Sequence, residues 1–225
     1  MSSETKAEDA NAGACGLLIV VSSPSGGGKG TLIDRVLKTV PGVSYSVSYT
    51  TRAPRGTEQN GREYFFVSTA TFEEMARRGD FLEWANVYGH LYGTSQAQVE
   101  RERAAGHDII LEIDVQGAAS IRARIDDAVS IFILPPSFEL LRQRLVTRGT
   151  DSAADLEKRL QGAPGEVEQY TNFQYVILND DINRASQQLA AVISAERARK
   201  ERQEVRLKET LADFGVVAVG TAGKL

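Results

Sequence analysis

Residues 22–32 read Ser22-Ser23-Pro24-Ser25-Gly26-Gly27-Gly28-Lys29-Gly30-Thr31-Leu32, and few backbone arrangements suit them. Before them stands Gly16-Leu17-Leu18-Ile19-Val20-Val21, a short apolar run that predicts a buried strand. After them, Leu32, Ile33, Val36 and Leu37 recur at helical spacing, and Pro41-Gly42 ends the helix near Val40. A strand, a glycine-rich turn, a lysine and a helix form the context of a phosphate-binding loop. Consecutive glycines let backbone N–H groups turn toward an anion, and the helix start adds partial positive charge. Lys29 supplies a mobile cation for the outer phosphates. The match to G-x-x-x-x-G-K-[ST] is imperfect: Ser23 stands for the first glycine, and Gly30 stands where a magnesium-binding hydroxyl is usual.

The whole chain narrows the setting. Its 225 residues suit one sizeable domain with subdomains or two small ones. A net charge of −4 gives no general basic field for nucleic acid, so anions must meet local clusters. One cysteine, Cys15, and two histidines argue against an internal disulfide and a Cys- or His-based metal site. No apolar run reaches membrane-spanning length, and residues 1–14 are too acidic and polar for a secretory signal. The expectation is a soluble cytoplasmic protein with a disordered tail at 1–14 and no internal repeat.

Beyond the first helix, Val43–Thr51 alternates like a strand and runs into Arg52-Ala53-Pro54-Arg55. Arg62–Val67, Phe81–Tyr88 and Leu91-Tyr92 read as further strands, with a short helix over Thr71–Arg78. Residues 43–92 therefore look like a small β-rich insertion, in which Phe81 and Trp84 are expected to be core. Helical patterns follow at Thr94–Ala105, Gln116–Ala123 and Phe138–Thr147, with strands at His107–Asp114 and Ala128–Leu134. Another helix begins at Asp155–Leu160, and Pro164-Gly165 separates it from a helical stretch reaching Thr171. Phe173–Leu178 is the last strand, and Asn179-Asp180-Asp181 caps a helix whose apolar face is Ile182, Ala185, Leu189, Val192 and Ile193. The helix is expected to continue into a solvated charged stretch at Ala195–Lys208, and Leu211–Leu225 has no clear assignment. Continuous apolar strands alternating with helices imply a parallel sheet covered on both faces, an α/β fold.

Ligands of such sheets bind outside the carboxyl ends of the strands. The glycine loop, Glu112-Ile113-Asp114 and Asn179-Asp180-Asp181 all fall there. Glu112 and Asp114, spaced by two, share one side of a strand and favour metal or ligand binding. Arginines cluster at Arg52/Arg55 and at Arg142, Arg144, Arg148 and Arg159. Each cluster alone reads as a solvated face, but together with a phosphate loop they suit phosphoryl transfer, which needs cations around the moving group. Inserted segments closing over the site would exclude water.

Several blocks resemble the guanylate kinase family closely and in family order from about residue 16 to 200. They are 23–32, Ser46–Arg55, Glu58–Val67, Phe81–Ala85, Tyr92-Gly93-Thr94, Leu111–Gly117, Ile131–Ser137, Arg144-Leu145, Arg148-Gly149-Thr150, Lys158-Arg159-Leu160 and Asn179-Asp180-Asp181. The block at 46–67 with Tyr92-Gly93-Thr94 is the most specific. The resemblance implies a three-layer P-loop kinase core with a parallel sheet, a small β-rich GMP-binding insertion and a short helical lid. It divides the domain at 15–200 into core segments 15–45, 93–137 and 165–200, an insertion at 46–92 and a lid at about 138–164, followed by an extension at 201–225.

The same resemblance implies ATP-dependent phosphorylation of GMP, and of dGMP, in purine nucleotide metabolism and GMP recycling. Ser23, Pro24, Ser25, Gly26, Gly27, Gly28, Lys29, Gly30 and Thr31 would hold the ATP phosphates, with Asn179 and Asp180 near the adenine. Ser48, Arg52, Arg55, Tyr64, Tyr92 and Thr94 would bind the GMP phosphate or line its pocket. Glu83, with Thr94 and Asp114 close by, would accept from the guanine N1–H and N2 amine, a match that adenine lacks. Lys29, Arg52, Arg144, Arg148 and Arg159 would be catalytic. Mg²⁺ would accompany ATP, with Thr31 a candidate ligand. The oligomeric state is left open, a homo-oligomer included. The rival within this fold is a non-catalytic guanylate-kinase-like protein-binding module, and Lys29, Arg52, Arg55, Tyr64, Glu83 and Tyr92 together argue against it. A kinase for another phosphorylated sugar or nucleotide is disfavoured by Glu83.

Overall fold

Residues 15–149 and 152–216 are described by a computed structural model. In chain order the elements are β1 (Leu18–Ser22), α1 (Lys29–Thr39), β2 (Val43–Tyr45), β3 (Tyr49–Thr50), β4 (Phe65–Phe66) and α2 (Thr69–Arg78). Then come β5 (Phe81–Val87), β6 (His90–Ser95), α3 (Gln96–Ala104), β7 (Asp108–Glu112), α4 (Val115–Arg124) and β8 (Val129–Leu134). The chain continues through α5 (Phe138–Arg148), α6 (Ala153–Glu168), a 3₁₀ turn at Gln169–Asn172, β9 (Tyr175–Leu178), α7 (Ile182–Arg197) and α8 (Lys200–Asp213).

The central sheet has the order β2-β7-β1-β8-β9, and every neighbouring pair is parallel. The inner strands β7, β1 and β8 are largely apolar because both of their faces are buried. Leu17, Ile19 and Val21 pack on one side with Leu32, Ile33 and Val36 of α1 and Ala185, Leu189 and Ile193 of α7. Leu18 and Val20 pack on the other with Val99 of α3 and Ala118 and Ile121 of α4. Helix, sheet and helix form the three layers expected. Asp108, fully buried at the start of β7, accepts from the Leu17 N–H at 2.8 Å and from Arg197 Nε at 2.7 Å. Those bonds offset the cost of burying a carboxylate.

A second sheet, β4-β3-β6-β5, is mostly antiparallel and spans residues 49–95, running past the expected end of the insertion at 92. Phe72 of α2 stacks on Phe81 with ring centres 4.5 Å apart, the centre of this smaller core. Trp84 departs from expectation, being 51% exposed. It points away from the face that carries its neighbours Glu83 and Ala85, as strand alternation requires, and it meets Phe72 only edge-on.

Other boundaries also differ. Arg62–Val67 shrinks to Phe65–Phe66, because residues 61–63 form a turn and Tyr64 makes only an isolated bridge with Asn60, the Gly61 N–H being bonded to the Tyr64 carbonyl. Thr94 belongs to β6, and Ser95 caps α3 by accepting from the Gln98 N–H. Pro164 does not break α6, which runs through it with the ring on an exposed face. The helix after β9 stops at Arg197 and restarts at Lys200, so Ala195–Lys208 is not one solvated stretch. Glu196 within it is buried and accepts from the Tyr175 hydroxyl. The tail at 1–14, Thr150, and residues 217–225 lie outside the described residues.

Candidate active site

The loop between β1 and α1 is shaped by its own bonds. The Gly27 N–H donates to the Pro24 carbonyl at 2.9 Å, and Gly28 takes φ 90° at the helix start. A side chain at Gly28 would be strained by that φ, and its Cβ would come within 2.5 Å of Asn179 Nδ2. Helices α2 to α7 each have a Ser or Asp side chain bonded to a first-turn N–H. Helix α1 has no such cap. Its first N–H groups are therefore available to an anion, as the glycine pattern predicts. Ser23, in place of the first glycine, has a local use: Lys29 Nζ donates to its Oγ at 3.0 Å, and that hydroxyl donates to the Pro24 carbonyl at 2.8 Å.

Distant segments clamp the loop. Asn179 Nδ2 donates to the Gly27 carbonyl at 2.9 Å, and Arg144 Nη1 reaches the same oxygen at 3.3 Å. Arg144 also donates to the Asn179 carbonyl at 3.2 Å. From α6, Arg159 Nη1 donates to Ser25 Oγ at 2.6 Å. Asp181 caps α7, while Asp180 pairs with Arg184 at the cavity edge.

The loop opens into a cavity of about 890 Å³ shared with the inserted sheet. Ser23, Ser25, the glycines 26–28, Lys29, Gly30 and Thr31 line one end, with Arg144, Arg159, Asn179 and Asp180. Ser48, Arg52, Arg55, Tyr64, Glu83 and Tyr92 line the other, and Asp114 also faces it. Pro24 and Thr94 are behind the lining. Arg148 is the last residue of α5, and its side chain is outside the described residues. The expected site residues, from segments spread over 150 positions of sequence, therefore converge on one cavity with these exceptions.

At the sheet end, Arg52 is 5% exposed. Glu58 takes it by both oxygens at 2.9 Å, its Nε donates to the Tyr92 hydroxyl at 3.2 Å, and Nη1 donates to the Ala53 carbonyl at 2.7 Å. Burial opposes its charge, but the Glu58 bonds prevail and hold its pKa above the ordinary arginine value. Glu83 is 5% exposed, and burial pushes its carboxyl up to about 7 against the lowering effect of the Thr94 hydroxyl bond. Gly117 of α4 makes room for it, since a Cβ there would fall 2.5 Å from Glu83 Oε2. Asp114 is not a strand residue: β7 ends at Glu112, and Asp114 caps α4 by accepting from the Gly117 N–H at 2.9 Å. Glu112 lies beside Gly30, where a Cβ would sit 3.6 Å from its Oε2, and accepts from the Tyr45 hydroxyl at 3.3 Å.

Sequence reasoning missed Tyr88 and Glu166, both on the cavity wall. Tyr88 stood beside Gly89 in a turn, but Glu166 carried no signal, because its contacts are tertiary.

Comparison with known proteins covers both ends of this cavity. The guanylate kinase family model matches residues 16–196. A guanylate kinase of Symbiobacterium thermophilum is 48% identical over 202 residues, covering 90% of this chain and 96% of the relative. One from Aromatoleum aromaticum is 50% identical over 191 residues, 85% of this chain and 94% of the relative. The crystal structure of guanylate kinase from Anaplasma phagocytophilum superposes with a TM-score of 0.74 at 32% identity, covering 91% of this chain and 97% of that one. Since the loop, the inserted sheet and the clamping helices all fall inside the matched range, the chain belongs to the guanylate kinase family.

Proposed function

We propose that the protein transfers the γ-phosphoryl group of ATP to GMP, or dGMP, giving ADP and GDP or dGDP. The observation that carries this reading is the single cavity joining an uncapped phosphate loop to a pocket holding a buried carboxyl. A phosphate oxygen of GMP attacks the γ-phosphorus in line. The new P–O bond forms as the bond to the β-bridging oxygen breaks, and its electron pair leaves with ADP. No side-chain nucleophile is needed, so catalysis is positioning and charge stabilisation.

In this reading Lys29 and the loop N–H groups hold the donor phosphates. Arg144, Arg148 and Arg159 neutralise the equatorial oxygens of the moving group. Ser48, Arg55, Tyr64 and Tyr92 hold the acceptor phosphate, and Arg52, tied to Glu58, orients the Tyr92 hydroxyl. Ionised Glu83 accepts from the guanine edge, whereas adenine would leave it unpaired. Asn179 shapes the loop as well as bordering the donor base.

Glu112 and Thr31 offer hard oxygen donors at the start of α1, which suits Mg²⁺ bound with nucleotide phosphates. The ion, when bound, offsets charge on the phosphate oxygens. A cytoplasmic enzyme fits this reading, and no helix among the described residues is long and apolar enough to cross a membrane.

An ADP-coupled assay with Mg²⁺, comparing GMP, dGMP, AMP and UMP, tests the proposal. Turnover with the guanine nucleotides well above the others is expected. No ADP formed with GMP would overturn it in favour of a binding module.

A further inference from the structure

The tip of the β5–β6 hairpin is built on a sterically disfavoured residue. Tyr88 and Gly89 connect the strands with φ of 50° and 86°, and Tyr88 is the one non-glycine with positive φ among the described residues. Two-residue hairpin turns of this hand favour Asn, Asp or Gly, because a larger side chain crowds the backbone. An outlier of this kind, held in place by its surroundings, points to a use for the side chain.

The Tyr88 side chain makes a specific contact. Its hydroxyl donates to Glu166 Oε1 at 2.9 Å, while Glu166 Oε2 accepts from the Ser25 N–H at 2.9 Å. One carboxylate thus divides its oxygens between the hairpin tip and the phosphate loop. Burial first, and then the Glu166 charge, raises the Tyr88 pKa, which keeps the proton on the phenol as the bond requires. The approach depends on Gly162, where a Cβ would lie 3.1 Å from the Tyr88 oxygen. Arg159, two turns before Glu166 on α6, lies with Cζ 5.3 Å from the Tyr88 ring centre and donates to Ser25 Oγ. The hairpin strands carry Glu83, Tyr92 and Thr94, so displacement of the tip is displacement of the acceptor pocket.

We propose that Glu166 is a positioning residue for phosphoryl transfer, setting the acceptor-carrying hairpin in register with the donor loop through Tyr88 and Ser25. The inference rests on the activity proposed above. In-line transfer is sensitive to alignment, and a misplacement near 1 Å costs on the order of 100-fold in rate. Binding either nucleotide alone does not require the two segments to be aligned, so the effect belongs in kcat.

The test uses the full chain with Tyr88→Phe, Glu166→Gln, Glu166→Ala and the double variant Tyr88→Phe/Glu166→Ala. Steady-state kinetics are measured beside calorimetric binding of ATP and of GMP separately. Glu166→Ala is expected to lower kcat roughly 10–100-fold with each separate dissociation constant within about twofold of wild type. Tyr88→Phe should lose about 3–10-fold, and the double variant should be no worse than Glu166→Ala, because both act through one link. Gln can accept from the Ser25 N–H and donate to the Tyr88 oxygen, so Glu166→Gln should come within about threefold of wild type. An unchanged kcat in Glu166→Ala, a loss that appears as weak binding of one nucleotide alone, or multiplicative losses in the double variant would each overturn the inference. Wild-type turnover of GMP in the same assay judges the activity separately, because the inference is read from ratios to wild type.

Discussion

The Thr94 hydroxyl donates a 2.6 Å hydrogen bond to the Glu83 carboxyl, joining the partner residues of β6 and β5 behind the cavity wall. That bond favours the ionised form, and burial opposes it with greater effect. Guanine offers two donors, so it needs the ionised form. With the carboxyl pushed up to about 7, KM for GMP should fall about tenfold between pH 6 and pH 8, while KM for ATP changes little. Glu83→Gln should flatten the profile, apart from the titration of the GMP phosphate itself, and lower kcat/KM for GMP by about 100-fold or more. Without nucleotide the sign for stability is opposite. A raised carboxyl contributes stability that is present below the unfolded value near 4.5 and is lost as pH rises through about 7. Melting temperatures of wild type and Glu83→Gln across that range check this.

Gly117→Ala separates helix stability from recognition. Gly117 lies in the first turn of α4, so alanine there gains at most about 0.5–1 kcal/mol by propensity. The new Cβ, however, would lie 2.5 Å from Glu83 Oε2 and must displace that carboxyl. The expected outcome is a melting temperature near wild type with KM for GMP raised roughly tenfold, since a misplaced acceptor loses a bond worth about 1.5 kcal/mol. Thermal melts and GMP titrations on the same preparation are the measurement. An unaltered KM would mean that Glu83 relocates without consequence.

Glu58→Ala should act on stability first. It would leave the Arg52 guanidinium, 5% exposed, without its bidentate partner. Breaking a buried pair from one side costs about 3 kcal/mol. A phosphate dianion beside Arg52 would replace part of that interaction, so GMP should raise the melting temperature of the variant more than that of wild type. Differential scanning calorimetry with and without GMP decides it.

Asn179→Ala removes the donor that holds the Gly27 carbonyl and leaves a buried acceptor to the longer contact from Arg144. A loss of about 1–2 kcal/mol in stability is expected. KM for ATP should rise while KM for GMP stays close to wild type, because the bond supports only the loop end of the cavity. Urea unfolding and initial-rate kinetics test the two parts.

The layered core and the loop were legible because their chemistry is local. Leu18–Val21 of β1 must be apolar when both faces are covered, and Gly28 must accept a left-handed φ, so both leave marks in consecutive residues. The cavity lining was legible through the family resemblance, and the structure brought most of those residues together. Contacts made only by tertiary packing were not legible. Glu166 meets partners 78 and 141 positions away, and nothing beside it in sequence signals either. Trp84 was misread because hydrophobicity outweighed strand alternation. The break at Pro164 was misread because an interior proline removes one helical N–H bond and crowds the carbonyl four residues before it, a local cost that α6 bears without ending.

The bond from Asn179 to Gly27 spans 152 positions, and this bears on how the protein is made. The phosphate loop leaves the ribosome early, while the side chain that fixes one of its carbonyls is still to be synthesised. At about 5–20 residues per second, roughly 8–30 s separate the two. Throughout that interval the nascent chain carries the loop's sequence without its final brace. Nucleotide binding is therefore a late acquisition of the growing chain, and ATP can stabilise the finished fold far better than the fragments that precede it.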